Sequence, residues 1–222
     1  MDEKKFCFII CVDDEEYFRE CSFYIGQLRI PEGFTAEMLP IRGSKGMAEG
    51  YNIAMGATDA KYKVYLHQDV FILNPNFLND LLTVFSMDEK IGMVGMLGSE
   101  KISPDAVEWN TPYVGKIYEE SQGKEDYKNY VYTPEDGLTD CEALDGMLLA
   151  TNRDLRWRDD IFDGWNFWDV AQSIEFRVAG YRVVVPGQRL PWVAHEESIL
   201  NLWTYDRDRR QFISAYMNGG TV

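Results

Sequence analysis

The chain has only two histidines, and both stand beside carboxylates. His67 precedes Asp69 by two positions, and His195 is followed by Glu196 and Glu197. A carboxylate and an imidazole can share a divalent cation, because oxygen and imidazole nitrogen both serve as ligands to such ions. The plainer reading makes Asp69 a turn or cap residue at a strand end and each histidine a hydrogen-bonded structural residue. The other carboxylates carry the same two readings. Asp13 and Asp14 follow an apolar run, where either can contact a ligand or cap the next helix. Asp145 can face a ligand or close the turn at Gly146, and Asp169, in the first turn of an expected helix, complements that helix's dipole. Lys45, between Gly43 and Gly46, is either a ligand contact or a solvated charge. Five of the six tryptophans, Trp157, Trp165, Trp168, Trp192 and Trp203, fall in the last third. Sugar faces stack on such rings, although rings of this size ordinarily belong to a core; Trp165 and Trp168 are selected as candidate contacts.

Charge limits what these groups can bind. Twenty-two Lys and Arg against 37 Asp and Glu leave −15, a field that repels nucleic-acid backbones and anionic lipid surfaces. A phosphorylated ligand must therefore find its positive charge locally, in a divalent cation, a helix N-terminus or a few basic groups. The content of 45% apolar and 27% charged residues over 222 positions suits a globular domain and excludes disorder, collagen-like repeats and a disulfide miniprotein. Four cysteines without zinc spacing are expected to be reduced and mostly buried. The apolar run Phe6–Val12 is too short for a signal peptide or a membrane span, so a cytoplasmic protein without a span is expected.

These residues need elements to position them, and the order of elements is α/β. Phe6–Val12 reads as a strand buried on both faces. Tyr17, Cys21, Tyr24, Ile25 and Leu28 recur at helical spacing, and a strand follows over Thr35–Ile41. Gly43-Ser44-Lys45-Gly46 opens a second helix, and Val64–Leu66 is a third strand ending at His67-Gln68-Asp69. Asn74-Pro75 supplies a cap and an N1 proline for the next helix, with Ile91–Leu97 as a fourth strand. Residues 99–140 read as an irregular insertion containing a hairpin through Tyr113–Tyr118. Beyond it come a strand over Ala143–Thr151 and a helix over Asn166–Ala179 whose Phe167, Val170, Ala171, Ile174 and Val178 share a face. Short strands follow over Tyr181–Val185 and Trp192–Ala194, then a terminal helix over Ile199–Tyr216 packed through Leu200, Trp203 and Phe212. One domain spanning 1–222 is expected, with 1–98 as one half and 99–222 as the other.

From Phe6–Asp14 through Gly43–Gly46 and Asn52–Ala54 to Val64–Asp69, the chain resembles the donor-binding half of glycosyltransferase family 2, with the GT-A fold. Asp145-Gly146, Phe162-Asp163, Trp168-Asp169 and Val193–His195 continue the resemblance in the family's order over nearly the whole chain. It implies a Rossmann-like three-layer α/β/α sandwich with a mostly parallel central sheet. It also implies an inverting transfer of sugar from a nucleotide-diphosphate donor to a saccharide or other hydroxyl acceptor. By this resemblance Asp69 and His195 ligate a metal, Mn²⁺ or Mg²⁺, and Asp169 is the general base. Asp13, Asp14, Lys45, Asn52, His67 and Asp145 fall on the donor side, and Trp165 and Trp168 on the acceptor side. The chain departs from the family in carrying His67 at the first Asp of its Asp-x-Asp motif and Trp168 at the Glu before the base. A non-catalytic relative that binds a nucleotide sugar or glycan is therefore the alternative. A sugar nucleotidyltransferase is disfavoured, since Asp13-Asp14-Glu15-Glu16 stands where a Gly-rich basic loop would be needed.

Overall fold

A computed structural model of the chain describes residues 1–107, 110–120, 127–131, 136–196 and 202–218. Strand β1 (Asp2–Val12) lies between β2 (Thr35–Arg42) and β3 (Ala60–His67), parallel to both. Two helices make these crossovers, α1 (Glu15–Gly26) and α2 (Met47–Ala57). Asp14 starts α1 by accepting from the backbone N–H of Glu16 (2.8 Å) and Tyr17 (3.3 Å), which satisfies two donors that a helix start otherwise leaves open.

After β3 come β4 (Val70–Ile72), α3 (Phe77–Met87), β5 (Ile91–Gly95) and β6 (Leu97–Ser99). Then follow β7 (Tyr113–Glu120), β8 (Tyr127–Val131), β9 (Leu138–Asp140), β10 (Ala143–Leu144) and β11 (Leu148–Thr151). The chain closes with α4 (Trp168–Val178), β12 (Arg182–Pro186), β13 (Val193–Glu196), α5 (Leu202–Phe212) and a π-helical turn over Ile213–Met217. The central sheet has the order β2-β1-β3-β11-β5-β12-β9. Its pairings give β2, β1, β3, β5 and β12 one direction and β11 and β9 the other, so it is mostly parallel. A second sheet runs β10-β6-β7-β13-β4, with β8 paired to β7.

Alternation along β1 divides the core. Phe6, Phe8, Ile10 and Val12 join α1 and α3 residues such as Cys21, Leu78 and Leu81 on one face. Cys7, Ile9 and Cys11 join Tyr51 and Ala54 of α2 and Val170 and Phe176 of α4 on the other. Helices on both faces make the three-layer α/β/α arrangement, and each fully buried Ile or Phe contributes about 1.5–3 kcal/mol to it. All four cysteines are free and buried.

Several expectations change. Asn76, not Asn74, precedes α3; Asn74 accepts from Asn76 N (2.9 Å) and donates to Asp80 (2.7 Å), building a turn before the helix. The apolar stretch Ile91–Leu97 divides into β5 and β6, which join different sheets, and Ala143–Thr151 likewise divides into β10 and β11 around Asp145-Gly146. Strand β4 has no signal of its own in the sequence, because three apolar residues are too few to show a period. Within 99–140 the described residues are more regular than expected: Tyr113–Tyr118, expected as a hairpin, lies within the single strand β7, whose antiparallel partner is β8; residues 108–109, 121–126 and 132–135 lie outside the described residues. Trp203 and Val178, expected to pack, are exposed. Leu200 and the start of the expected terminal helix, 199–201, lie outside the described residues.

Candidate functional site

His67 ends β3, and its N–H donates to Met147 O at 3.0 Å. The chain turns through Gln68 and Asp69 into β4, which pairs antiparallel with β13 in a register that places His195 opposite Val70. Glu196 N donates to Asp69 O at 3.1 Å. That short ladder brings together two histidines far apart in sequence. His195 Nε2 lies 3.7 Å and His67 Nδ1 4.0 Å from the same oxygen, Asp69 Oδ1. This oxygen is buried and has no hydrogen-bond partner, although buried polar atoms ordinarily find one. Burial pushes the Asp69 carboxyl up against the opposing pull of His195, and burial together with His195 pushes the His67 imidazole down. The three side chains offer ligand atoms that all lie within 4.8 Å of one another. One carboxylate and two imidazoles suit a divalent transition-metal ion, and such an ion would give Asp69 Oδ1 the partner it lacks.

The cluster borders a cleft of about 750 Å³ at the carboxyl ends of β1 and β3, whose walls include Asp13, Asp14, Tyr17, Gln68 and Trp165. Ligands of open α/β sheets bind at such strand ends. Gln68 lies on the cleft wall between His67 and Asp69. Its Oε1 accepts from Asp13 N (3.0 Å) and Asp14 N (2.9 Å), while its Nε2 donates to Asp13 Oδ1. Asp13 therefore faces the cleft, whereas Asp14 lines it and also caps α1. The Tyr17 hydroxyl is pushed up to about 12, chiefly by its hydrogen bond to Glu196, so α1 is tied to β13 beside Asp69.

Two donor-side candidates lie elsewhere. Lys45 is exposed and outside the cleft wall, with its N–H donating to Glu49 at 2.7 Å. Asn52 has both ends of its amide on the Trp157 backbone, donating to O and accepting from N at 2.9 Å each. These two bonds hold the 157 segment against α2.

Asp145 and Asp169 form a second focus. The backbone between β10 and β11 turns at Asp145, whose Oδ1 accepts from Met147 N at 2.9 Å. Asp169, in the first turn of α4, accepts from Gly146 N through Oδ2 and from Val170 N through Oδ1, both at 2.8 Å. Burial first, then the neighbouring Asp145 charge, pushes the Asp169 carboxyl up to about 7, against backbone hydrogen bonds that pull it down. Gly146 permits the arrangement. A Cβ there would lie 2.5 Å from two ring atoms of Trp168 and 2.9 Å from Asp169 Oδ2.

Trp168 is no open stacking platform. Its ring is 3% exposed and packs against Tyr51, Trp157 and His67, with centroids 5.3, 5.6 and 5.9 Å away. Its Nε1–H is already engaged by Trp165 O at 3.1 Å. Trp165, in contrast, is 52% exposed on the cleft wall. Asp163 is exposed and ion-paired with Arg207 at 3.1 Å. In the sequence Gln68, Tyr17 and Gly146 stand only as a motif's middle residue, a helix-face residue and a turn glycine, with no role of their own. Only the position of Gln68 between His67 and Asp69 hinted at a role, since the other two act through contacts made across the fold.

A sequence profile described as Glycosyltransferase like family matches residues 7–216. Comparison with curated proteins finds no match. Among solved structures, GalNAc-T7 with UDP, GalNAc and Mn²⁺ superposes with a TM-score of 0.67 at 9% identity, covering 99% of this chain and 49% of that one. The mannosyltransferase PcManGT of Pyrobaculum calidifontis, in complex with GDP-Man and Mn²⁺, gives 0.59 at 14% identity over 97% and 65%. TarS of S. aureus, residues 1–349 with UDP, gives 0.53 at 11% over 96% and 67%. The chain thus spans about half of the first of these proteins and about two thirds of the others. These likenesses show a GT-A fold. No helix among the described residues is long and apolar enough to cross a membrane.

Proposed function

The chain belongs to the glycosyltransferase-like family, and from that premise we propose that it is a metal-dependent, inverting glycosyltransferase. It moves a sugar from a nucleotide-diphosphate donor to a hydroxyl acceptor in polysaccharide or glycoconjugate synthesis. The observation that carries the reading is the buried, unpartnered Asp69 Oδ1 between two imidazoles at the edge of the large cleft. In a protein of net charge −15, a diphosphate needs a local positive charge, and this cluster is where one can be held.

Asp69, His195 and His67 would hold Mn²⁺ or Mg²⁺, which supplies charge to stabilise the departing diphosphate. Asp13 faces the nucleoside, and Asp145, beside Asp169, faces the transferred sugar. Asp169 takes the proton of the acceptor hydroxyl as that oxygen attacks the anomeric carbon; the bond from this carbon to the diphosphate breaks, and its electron pair leaves with the diphosphate. A carboxyl near 7 suits a base working at neutral pH. Trp165 offers an exposed ring face to a saccharide acceptor. The continuous core on both faces of β1 supports one domain over 1–222, and four free, buried thiols suit a cytoplasmic place.

The test is a panel of nucleotide sugars with Mn²⁺, scored for donor hydrolysis and for transfer to simple glycosides. Turnover of one donor, lost with chelator, is the expected result. Tight donor binding without turnover over a broad panel would favour the non-catalytic relative, in keeping with His67 and Trp168 where the family has Asp and Glu.

A further inference from the structure

Beside Asp145 and Asp169, away from the large cleft, lies a small cavity of about 40 Å³. The apolar side chains of Ala143, Leu144, Phe167, Val170 and Phe212 share its lining with Ser99, Lys101, Thr111 and the two carboxylates. A water needs about 10–15 Å³ of such space, so the cavity admits a group of a few heavy atoms and excludes a sugar ring. Two backbone features meet at it. Among the described residues, Ala106 (φ 53°) and Phe167 (φ 61°) are the only non-glycine residues in the left-handed region, and both line this cavity. Such conformations are costly for residues with a Cβ and cluster at functional sites.

We propose that this cavity is a specificity pocket for a small acyl substituent, of acetyl size, carried by the acceptor next to the hydroxyl that Asp169 deprotonates. The inference rests on the glycosyltransferase reading. An acceptor hydroxyl held at Asp169 brings its neighbouring substituent to the cavity mouth, where an acyl methyl meets the apolar side chains and an acyl oxygen meets Ser99 or Thr111. A hydroxyl directed at the apolar side chains of that lining would lose its water there without an equal return.

The experiment compares transfer to N-acetylhexosamine glycosides with transfer to the matching hexose and free-amine glycosides, in wild type, Ala143→Leu and Val170→Ala. Wild type should prefer the N-acetylated member by about 10-fold or more in kcat/KM, the scale of one small apolar group in a fitted pocket. Ala143→Leu fills the space and should remove the preference. Val170→Ala enlarges it and should shift the preference toward N-propionyl over N-acetyl. Binding of the nucleoside diphosphate with Mn²⁺, measured by calorimetry on each variant, reports whether the fold and the donor site persist. Equal use of the three acceptors by wild type, transfer to none of them, or a preference unmoved in both variants overturns the pocket and leaves the donor site standing. Loss of metal-dependent nucleotide binding in wild type overturns the underlying glycosyltransferase reading itself.

Discussion

The two carboxylate foci differ in what they lack. Asp69 has a buried oxygen with no hydrogen-bond partner and two imidazoles about 4 Å away. Asp169 has both oxygens occupied by backbone N–H groups at 2.8 Å. An acid left short of partners in a folded protein is set up to receive a ligand, because the missing interaction is costly until something supplies it. An acid fixed by backbone amides is already aimed, and burial rather than incompleteness tunes it. On the proposed reading, these two aspartates at strand and helix ends divide into a binding group and a positioned base.

The largest expected effect breaks the first focus. Asp69→Ala should weaken Mn²⁺ binding, followed by electron paramagnetic resonance, by at least about 100-fold, the upper range for losing even an outer partner of a metal site. An affinity within a few-fold of wild type would remove the cluster from the account. Next, Asp169→Asn keeps the shape and removes the base, so transfer should fall by about 10²-fold or more. Wild-type kcat should rise with pH through about 7 as Asp169 loses its proton, and the Asn variant should lose that limb. The sign for stability is opposite. A carboxyl raised in the folded state favours folding when protonated, so its contribution is full below the ordinary Asp range and is lost as pH climbs through about 7. Asp169→Asn should accordingly flatten the denaturation midpoint against pH between about 4 and 7.

A smaller effect sharpens the contrast. Gly146→Ala places a methyl against the Trp168 ring and Asp169 Oδ2 and should cost about 1–3 kcal/mol by overpacking. Urea denaturation reads the loss, with transfer falling more than Mn²⁺ affinity. Smallest for function is Asn52→Ala. It should lower stability by about 1–3 kcal/mol through its two lost bonds to Trp157, with nucleotide affinity unchanged. A large drop in nucleotide affinity would return Asn52 to the donor side.

The sequence carried the architecture because the apolar runs and helical spacings are local. Phe6–Val12 could only be a strand buried on both faces, and the helices after it fell near their expected places. It carried less where short segments depend on partners far away. Strand β4 has three residues, yet its pairing with β13 is what brings His195 to Asp69. The hydrogen bonds of Asn52 are illegible in the sequence because their partner, Trp157, lies 105 residues on. Trp168 reads as a candidate acceptor contact because nothing local reveals that Tyr51, Trp157 and His67 enclose it.

The division of labour is tested most directly by calorimetry of a nucleoside diphosphate, with Mn²⁺ and with chelator, on Asp69→Ala and Asp169→Asn side by side. The account predicts that Asp169→Asn keeps the wild-type gain in affinity from Mn²⁺ within a few-fold, and that Asp69→Ala loses it. An equal loss in both variants, or a gain that survives in Asp69→Ala, would contradict it.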